Sequence, residues 1–111
     1  MYYMTALEMI DKDIMAEAAE DAAACLRALS NPSRLLLLCH LIEREQNVGE
    51  LESALGLGQA YVSQQLARLR GEGLVTARRE GRIVYYSLAD TRIRPIIETL
   101  YAQFCEPLTG R

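Results

Sequence analysis

Cys25, Cys39, Cys105 and the single histidine, His40, are the side chains here that carry soft-nucleophile or metal-ligating chemistry. No two cysteines stand in Cys-x-x-Cys spacing, and a soft or borderline metal wants several sulfur or nitrogen ligands. Only tertiary folding can gather these four into a ligand set, so no metal and no cofactor is assigned. An isolated cysteine has two other uses. As a thiolate it attacks S–S or S–O sulfur and passes into a mixed or bridged product. As a thiol it is a small buried hydrophobe. Cys25 falls on a helical stripe with Ala22, Leu26 and Leu29, which favours packing. His40 adjoins Cys39, but neighbours on a helix point about 100° apart, so it reads as a surface or core histidine. There is no nucleophile–base motif, no phosphate loop and no catalytic carboxylate pair at recognisable spacing. The chain is not read as an enzyme.

The other chemistry is that of arginine and glutamine. The net charge of −3 argues weakly against nucleic acid, but distribution matters more than the sum. Residues 1–21 hold six acids and one base, whereas residues 61–94 hold seven arginines (68, 70, 78, 79, 82, 92 and 94) against three acids. A basic segment inside an acidic chain can still meet phosphate if the acids face elsewhere.

These residues need elements to position them. The 111 residues suggest one domain, with half of them hydrophobic and able to form a core. A domain of this size is often marginally stable alone, and association is a common remedy. Apolar positions 15, 18, 19, 22, 25, 26 and 29 predict a helix over about 13–29. Asn31 and Pro32 suit an N-cap and a first helical position. The helix they open runs to about Arg44 and is apolar nearly all round, which marks it as central. Val48, Leu51 and Leu55 define a short helix, and Val62, Leu66 and Leu69 a second, with Gly56-Leu57-Gly58 between them. That is a helix-turn-helix. The second helix ends near Gly71 or Gly73. The period then becomes two over 75–80 and 83–88, with Gly81-Arg82 at the turn, a β-hairpin that forms a wing. Ile93, Ile96, Ile97, Leu100, Tyr101 and Phe104 stripe a last amphipathic helix, capped by Asp90 or Thr91, with Pro95 in its first turn. Tyr101 and Phe104 read as core or association residues.

The fold class is therefore mainly α with a β-hairpin wing, a winged helix-turn-helix in the order α-α-α-α-β-β-α. Residues 1–111 are expected to be a single domain, with 1–12 and 106–111 as candidate flexible ends. Glu8, Asp11, Lys12 and Asp13 interrupt the N-terminus before any apolar run develops, so no secretory leader is read. The longest plain apolar run, Leu35–Cys39, is far too short to cross a bilayer. The expectation is a soluble, cytoplasmic protein without membrane contact.

In a helix-turn-helix the second helix enters the major groove, N-terminal residues first. Its positions expected to be exposed are Gln59, Tyr61, Ser63, Gln64, Gln65 and Arg68. Glutamine can read adenine in a bidentate way, and Ser or Tyr can reach bases or phosphate. Arg68 and Arg70 suit phosphate. Arg78, Arg79 and Arg82 on the wing suit a neighbouring minor groove or the DNA backbone. Taken singly, each of these is also an ordinary solvated residue; the ordered combination is what points to double-stranded DNA.

Asn31-Pro32-Ser33-Arg34-Leu35, Val48-Gly49-Glu50-Leu51, Val62 to Leu69, Gly73-Leu74-Val75 and Arg78-Arg79-Glu80-Gly81-Arg82, in that order, resemble the ArsR/SmtB family over about residues 20–105. The resemblance implies a homodimer joined by the first and last helices. It also implies repression at an imperfect palindrome, with DNA released when a signal arrives.

Two metal-site types of that family lack their residues here. The stretch 48–52 has no cysteine, and the last helix has no histidine. Cys39 on the second helix and Cys105 at the end of the last resemble the persulfide- and redox-responsive branch, the SqrR/BigR type and its HlyU relatives. By that resemblance, reactive sulfur links the two thiols through a disulfide or polysulfide bridge, and DNA is released. A sensor of reactive oxygen species and a thiolate metal sensor stay open as alternatives, with a protein-interaction module more remote. Cys25, if near the other two, would be a resolving thiol or a third ligand.

Overall fold

Asp11 caps the first described helix, its carboxylate accepting from the Asp13 N–H at 2.8 Å. The computed structural model describes residues 11–89 and 92–105. Helix α1 spans Lys12–Leu29, so Asp11 and Lys12 belong to an element and not to a loose end. The remaining residues expected to be flexible, 1–10 and 106–111, lie outside the described residues, as do Asp90 and Thr91.

Asn31 and Pro32 act as their types predict. The Asn31 side chain accepts from the Arg34 N–H at 3.1 Å, and Pro32 opens α2, Pro32–Leu41. This helix stops three residues before the expected Arg44. The Ile42 N–H turns back to the Cys39 carbonyl at 3.3 Å, and the chain then enters a two-residue strand, β1, Gln46–Asn47. Local periodicity cannot foresee that stop, because β1 forms only by pairing with a distant strand. Nor is α2 buried all round. Leu37, Leu38 and Leu41 are sealed, but Leu36 is 47% exposed.

Asn47 caps α3, Val48–Leu55, through a reciprocal pair with Glu50: Glu50 N–H to Asn47 Oδ1 at 2.8 Å, and Asn47 N–H to Glu50 Oε1 at 3.0 Å. This capping box satisfies two backbone donors that would otherwise lack partners. Gly56 (φ 67°) ends α3 in the left-handed region, where a Cβ is penalised. Helix α4 is Gln59–Gly71. Strands β2, Val75–Glu80, and β3, Ile83–Leu88, flank Gly81-Arg82 as expected. The sheet is antiparallel in the order β1-β3-β2, with Gln46 opposite Tyr86 and Arg78 opposite Tyr85.

Helix α5 is Ile93–Phe104, with Pro95 inside its first turn; its N-cap is Arg92, which makes no side-chain cap hydrogen bond. The cap expected at Asp90 or Thr91 falls on residues outside the described ones.

The core lies where α2, α3, α4 and α5 meet, around Leu37, Leu41, Leu51, Leu66 and Ile97. The apolar face of α5 is divided. Ile93 and Ile97 are buried and Leu100 is half-buried, but Ile96, Tyr101 and Phe104 are exposed, Phe104 by 70%. On α1, Ile14, Met15 and Leu26 are exposed as well. Among the described residues no helix is long and apolar enough to cross a membrane.

Candidate nucleic-acid interface and thiol site

Helix α4 is held by Val62, Leu66 and Leu69, which face inward and are fully buried. The opposite surface presents Gln59, Tyr61, Gln64 and Arg68 to solvent. Ser63 and Gln65 are half-buried, which corrects the expectation that all six are exposed. They flank the apolar stripe, so packing reaches them. Gln59 and Ser63 share a groove of about 440 Å³ with Arg82 and Tyr86 of the hairpin, so helix and wing meet along one surface.

Gln65 has a partner that sequence reasoning missed. Arg34 on α2 is 6% exposed. Its Nε donates to the Ala28 carbonyl at 2.6 Å, Nη2 to the Arg27 carbonyl at 3.4 Å and Nη1 to Gln65 Oε1 at 3.1 Å. A buried cation needs compensation. Here the last-turn carbonyls of α1, the negative end of that helix, supply it together with the Gln65 amide. The only local signal was an arginine three residues after the cap.

On the wing the three arginines differ. Arg78 donates from Nε to Glu45 Oε2 at 3.2 Å, from Nη2 to Glu45 Oε1, and from Nη1 to Glu80 Oε2 at 3.1 Å. Its guanidinium carbon lies 5.0 Å from the Tyr85 ring centroid. The hydrogen bonds from Arg78 hold the Glu45 carboxyl below the usual carboxylate range, and Glu45 with Glu80 raises the pKa of Arg78. Arg79 and Arg82, like Arg68 and Arg70 on α4, are exposed and have no hydrogen-bond or ion-pair partner among the described residues.

Cys39 is half-buried in the last turn of α2, and Cys105 is half-buried at the C-cap of α5, its N–H donating to the Tyr101 carbonyl at 2.8 Å. Burial pushes the Cys39 thiol above its ordinary pKa, and Cys105 adds to the rise. Cys39 and Tyr101, one turn before Cys105, line a common groove, so the ends of α2 and α5 face each other although the two cysteines are 66 positions apart. Arg94 Nη1 donates to the Ile42 carbonyl, a second tie between α5 and the end of α2. A groove of about 910 Å³ opens beside Cys39, lined also by His40, Glu43 and Tyr101. Tyr101 is thus a groove residue on this side and not a core residue. Cys25 packs against the core from α1. Among the described residues no three His, Cys, Asp or Glu side chains come together as a metal would require.

Comparison with known proteins adds a pedigree. Residues 31–77 match the family described as "Bacterial regulatory protein, arsR family". The chain is 44% identical over 93 residues to the "Biofilm growth-associated repressor" of Agrobacterium fabrum, covering 84% of this chain and 80% of that one. Among solved structures, "Reduced HlyU from Vibrio cholerae N16961" superposes with a TM-score of 0.79 at 41% identity, covering 83% of this chain and 97% of the other. The repressor BigR from Xylella fastidiosa gives 0.76 at 40% identity, covering 86% and 94%.

Proposed function

The chain belongs to the ArsR family of bacterial regulatory proteins, among its HlyU- and BigR-like members, and on that premise we propose a dimeric, cytoplasmic repressor of one domain that leaves its operator when Cys39 and Cys105 are bridged. DNA reading is assigned to Gln59, Tyr61, Ser63, Gln64 and Arg68 of α4 in the major groove; Gln65, expected among them, has its oxygen held by Arg34 and keeps only its NH₂ for DNA. Arg79 and Arg82 of the wing meet the sugar–phosphate backbone. Arg68, Arg79 and Arg82 are exposed, with no ion-pair partner among the described residues. Their availability supports this assignment, because phosphate contacts supply most non-specific affinity. The exposed apolar residues of α1 and α5 support self-association through those helices, since a small domain does not leave such faces to water without use.

The observation that carries the thiol part is that Tyr101, whose carbonyl accepts the Cys105 N–H, lines the same groove as Cys39. With a low-molecular-weight persulfide RSSH, one cysteine thiolate attacks the outer sulfur and expels RS⁻, leaving a protein persulfide. The second thiolate then attacks the inner sulfur of that group and expels HS⁻. The sum is two protein thiols and RSSH giving one disulfide, RSH and H₂S. Retaining an additional sulfur in the bridge consumes one more persulfide. A bridge from the end of α2 to the end of α5 would bias the separation of the two reading heads, provided the bridged and open forms differ in DNA affinity.

The test is intact mass and peptide mapping of reduced protein after treatment with glutathione persulfide, with DNA titrations on the same samples. A Cys39–Cys105 cross-link accompanied by loss of affinity is the expected result. A Cys39→Ser protein that still releases DNA on treatment would overturn the mechanism.

A further inference from the structure

The wing carries three arginines of the same nominal chemistry, yet one of them already donates from each of its three nitrogens to a carboxylate. We propose that Arg78 is a positioning residue: it clamps the wing, through Glu45, to the turn that follows α2, and it does not itself contact DNA. The proposal rests on the DNA-binding reading above and is independent of the thiol chemistry.

Three features carry it. First, Nε, Nη1 and Nη2 of Arg78 all donate to carboxylates, with Glu45 taking two of them in the paired geometry that favours arginine. One guanidinium faced by two carboxylates leaves a local negative charge, which repels phosphate. Second, the strand register fixes the orientation. Arg78 stands opposite Tyr85, and its guanidinium lies over that ring, a favourable cation–π arrangement. Successive strand residues face opposite sides, so Arg79 projects from the other face of β2. Third, Glu45 is well anchored. It directly precedes β1, whose Gln46 pairs with Tyr86 and donates from Nε2 to the His40 carbonyl of α2. The clamp therefore fixes the wing against an element already tied to the core, 33 residues away in sequence. An exposed ion pair adds little to folding stability. What it sets is where Arg79 and Arg82 stand relative to α4.

The experiment uses a duplex selected from a random-sequence library by the reduced wild-type protein. Affinities are measured over a KCl series for wild type, Glu45→Gln, Arg78→Gln, the double variant, and Arg82→Gln as a control for direct phosphate binding. Long-range electrostatics alone would make Glu45→Gln bind more tightly, because it removes a negative charge. Positioning demands the reverse. The expected result is that Glu45→Gln and Arg78→Gln each weaken binding by a similar factor, with the double variant no worse than either single. The slope of log affinity against log salt stays at the wild-type value for Arg78→Gln. It becomes shallower for Arg82→Gln, by about 0.9 for each phosphate no longer neutralised. A shallower slope for Arg78→Gln, tighter binding by Glu45→Gln, or unchanged affinity in both overturns the proposal. Failure of the wild type to select any duplex would overturn the DNA-binding reading itself, a distinguishable result. All substituted side chains are on the surface, and circular dichroism checks that the fold is kept.

Discussion

Arg34 and Gln65 meet across 3.1 Å, Nη1 to Oε1, and this hydrogen bond joins the end of α1 to the helix that carries the reading residues. A guanidinium has donors only, so the Gln65 amide must turn its oxygen inward and its NH₂ outward. Bidentate reading of adenine needs both amide atoms. Gln65 is thereby unavailable for it, whereas the exposed Gln59 and Gln64 keep both.

Gln65→Leu should destabilise the fold by about 1–3 kcal/mol, because it leaves a buried guanidinium donor without an acceptor. Gln65→Glu restores an acceptor and should recover most of that loss. Urea unfolding of the two variants checks this, and a leucine variant as stable as wild type would refute it.

Asn47→Ala removes one half of the capping box at the start of α3 and should cost about 1 kcal/mol in the same assay. Asn47→Gly should cost about a few tenths. Equal losses for the two would point to a role of the side chain other than capping.

Cys39 should alkylate slowly at neutral pH. Burial first, and Cys105 second, raise its pKa, so its thiolate fraction is smaller than that of an ordinary cysteine. The iodoacetamide rate should climb with pH to a midpoint above that of the unfolded chain. Cys105→Ser removes the lesser cause and should lower the midpoint only in part. The sign for stability follows. The folded state holds this proton more tightly, so the contribution is full below the unfolded pKa and is lost as pH rises through the folded one. A midpoint at or below the unfolded value would contradict the burial.

Phe104→Glu should dissociate the dimer while leaving the protomer folded, because this ring is 70% exposed in the single chain. Sedimentation velocity at micromolar protein reads the mass, and circular dichroism reads the fold. A folded variant that remains dimeric would move the interface away from α5.

Much of the architecture was legible because it is written locally. Helical spacing located α1, α3, α4 and α5. Asn31-Pro32 opened α2, and Gly81-Arg82 placed the hairpin turn to the residue. Three of the misreadings share one cause. The end of α2, the strand Gln46–Asn47 and the half-burial of Ser63 and Gln65 depend on partners that lie elsewhere in the chain.

By itself, then, the sequence determined the order of elements, the helix-turn-helix with its wing, and the segment where arginine outweighs acid. Backbone propensity and apolar period are set by neighbours along the chain, so one sequence is enough to read them. Only the tertiary structure decided that Arg34 holds Gln65 and that Glu45 takes Arg78. Those pairs are 31 and 33 residues apart. Hydrogen bonds and charge act over a few ångströms, and no local pattern records which distant side chains folding brings within that range.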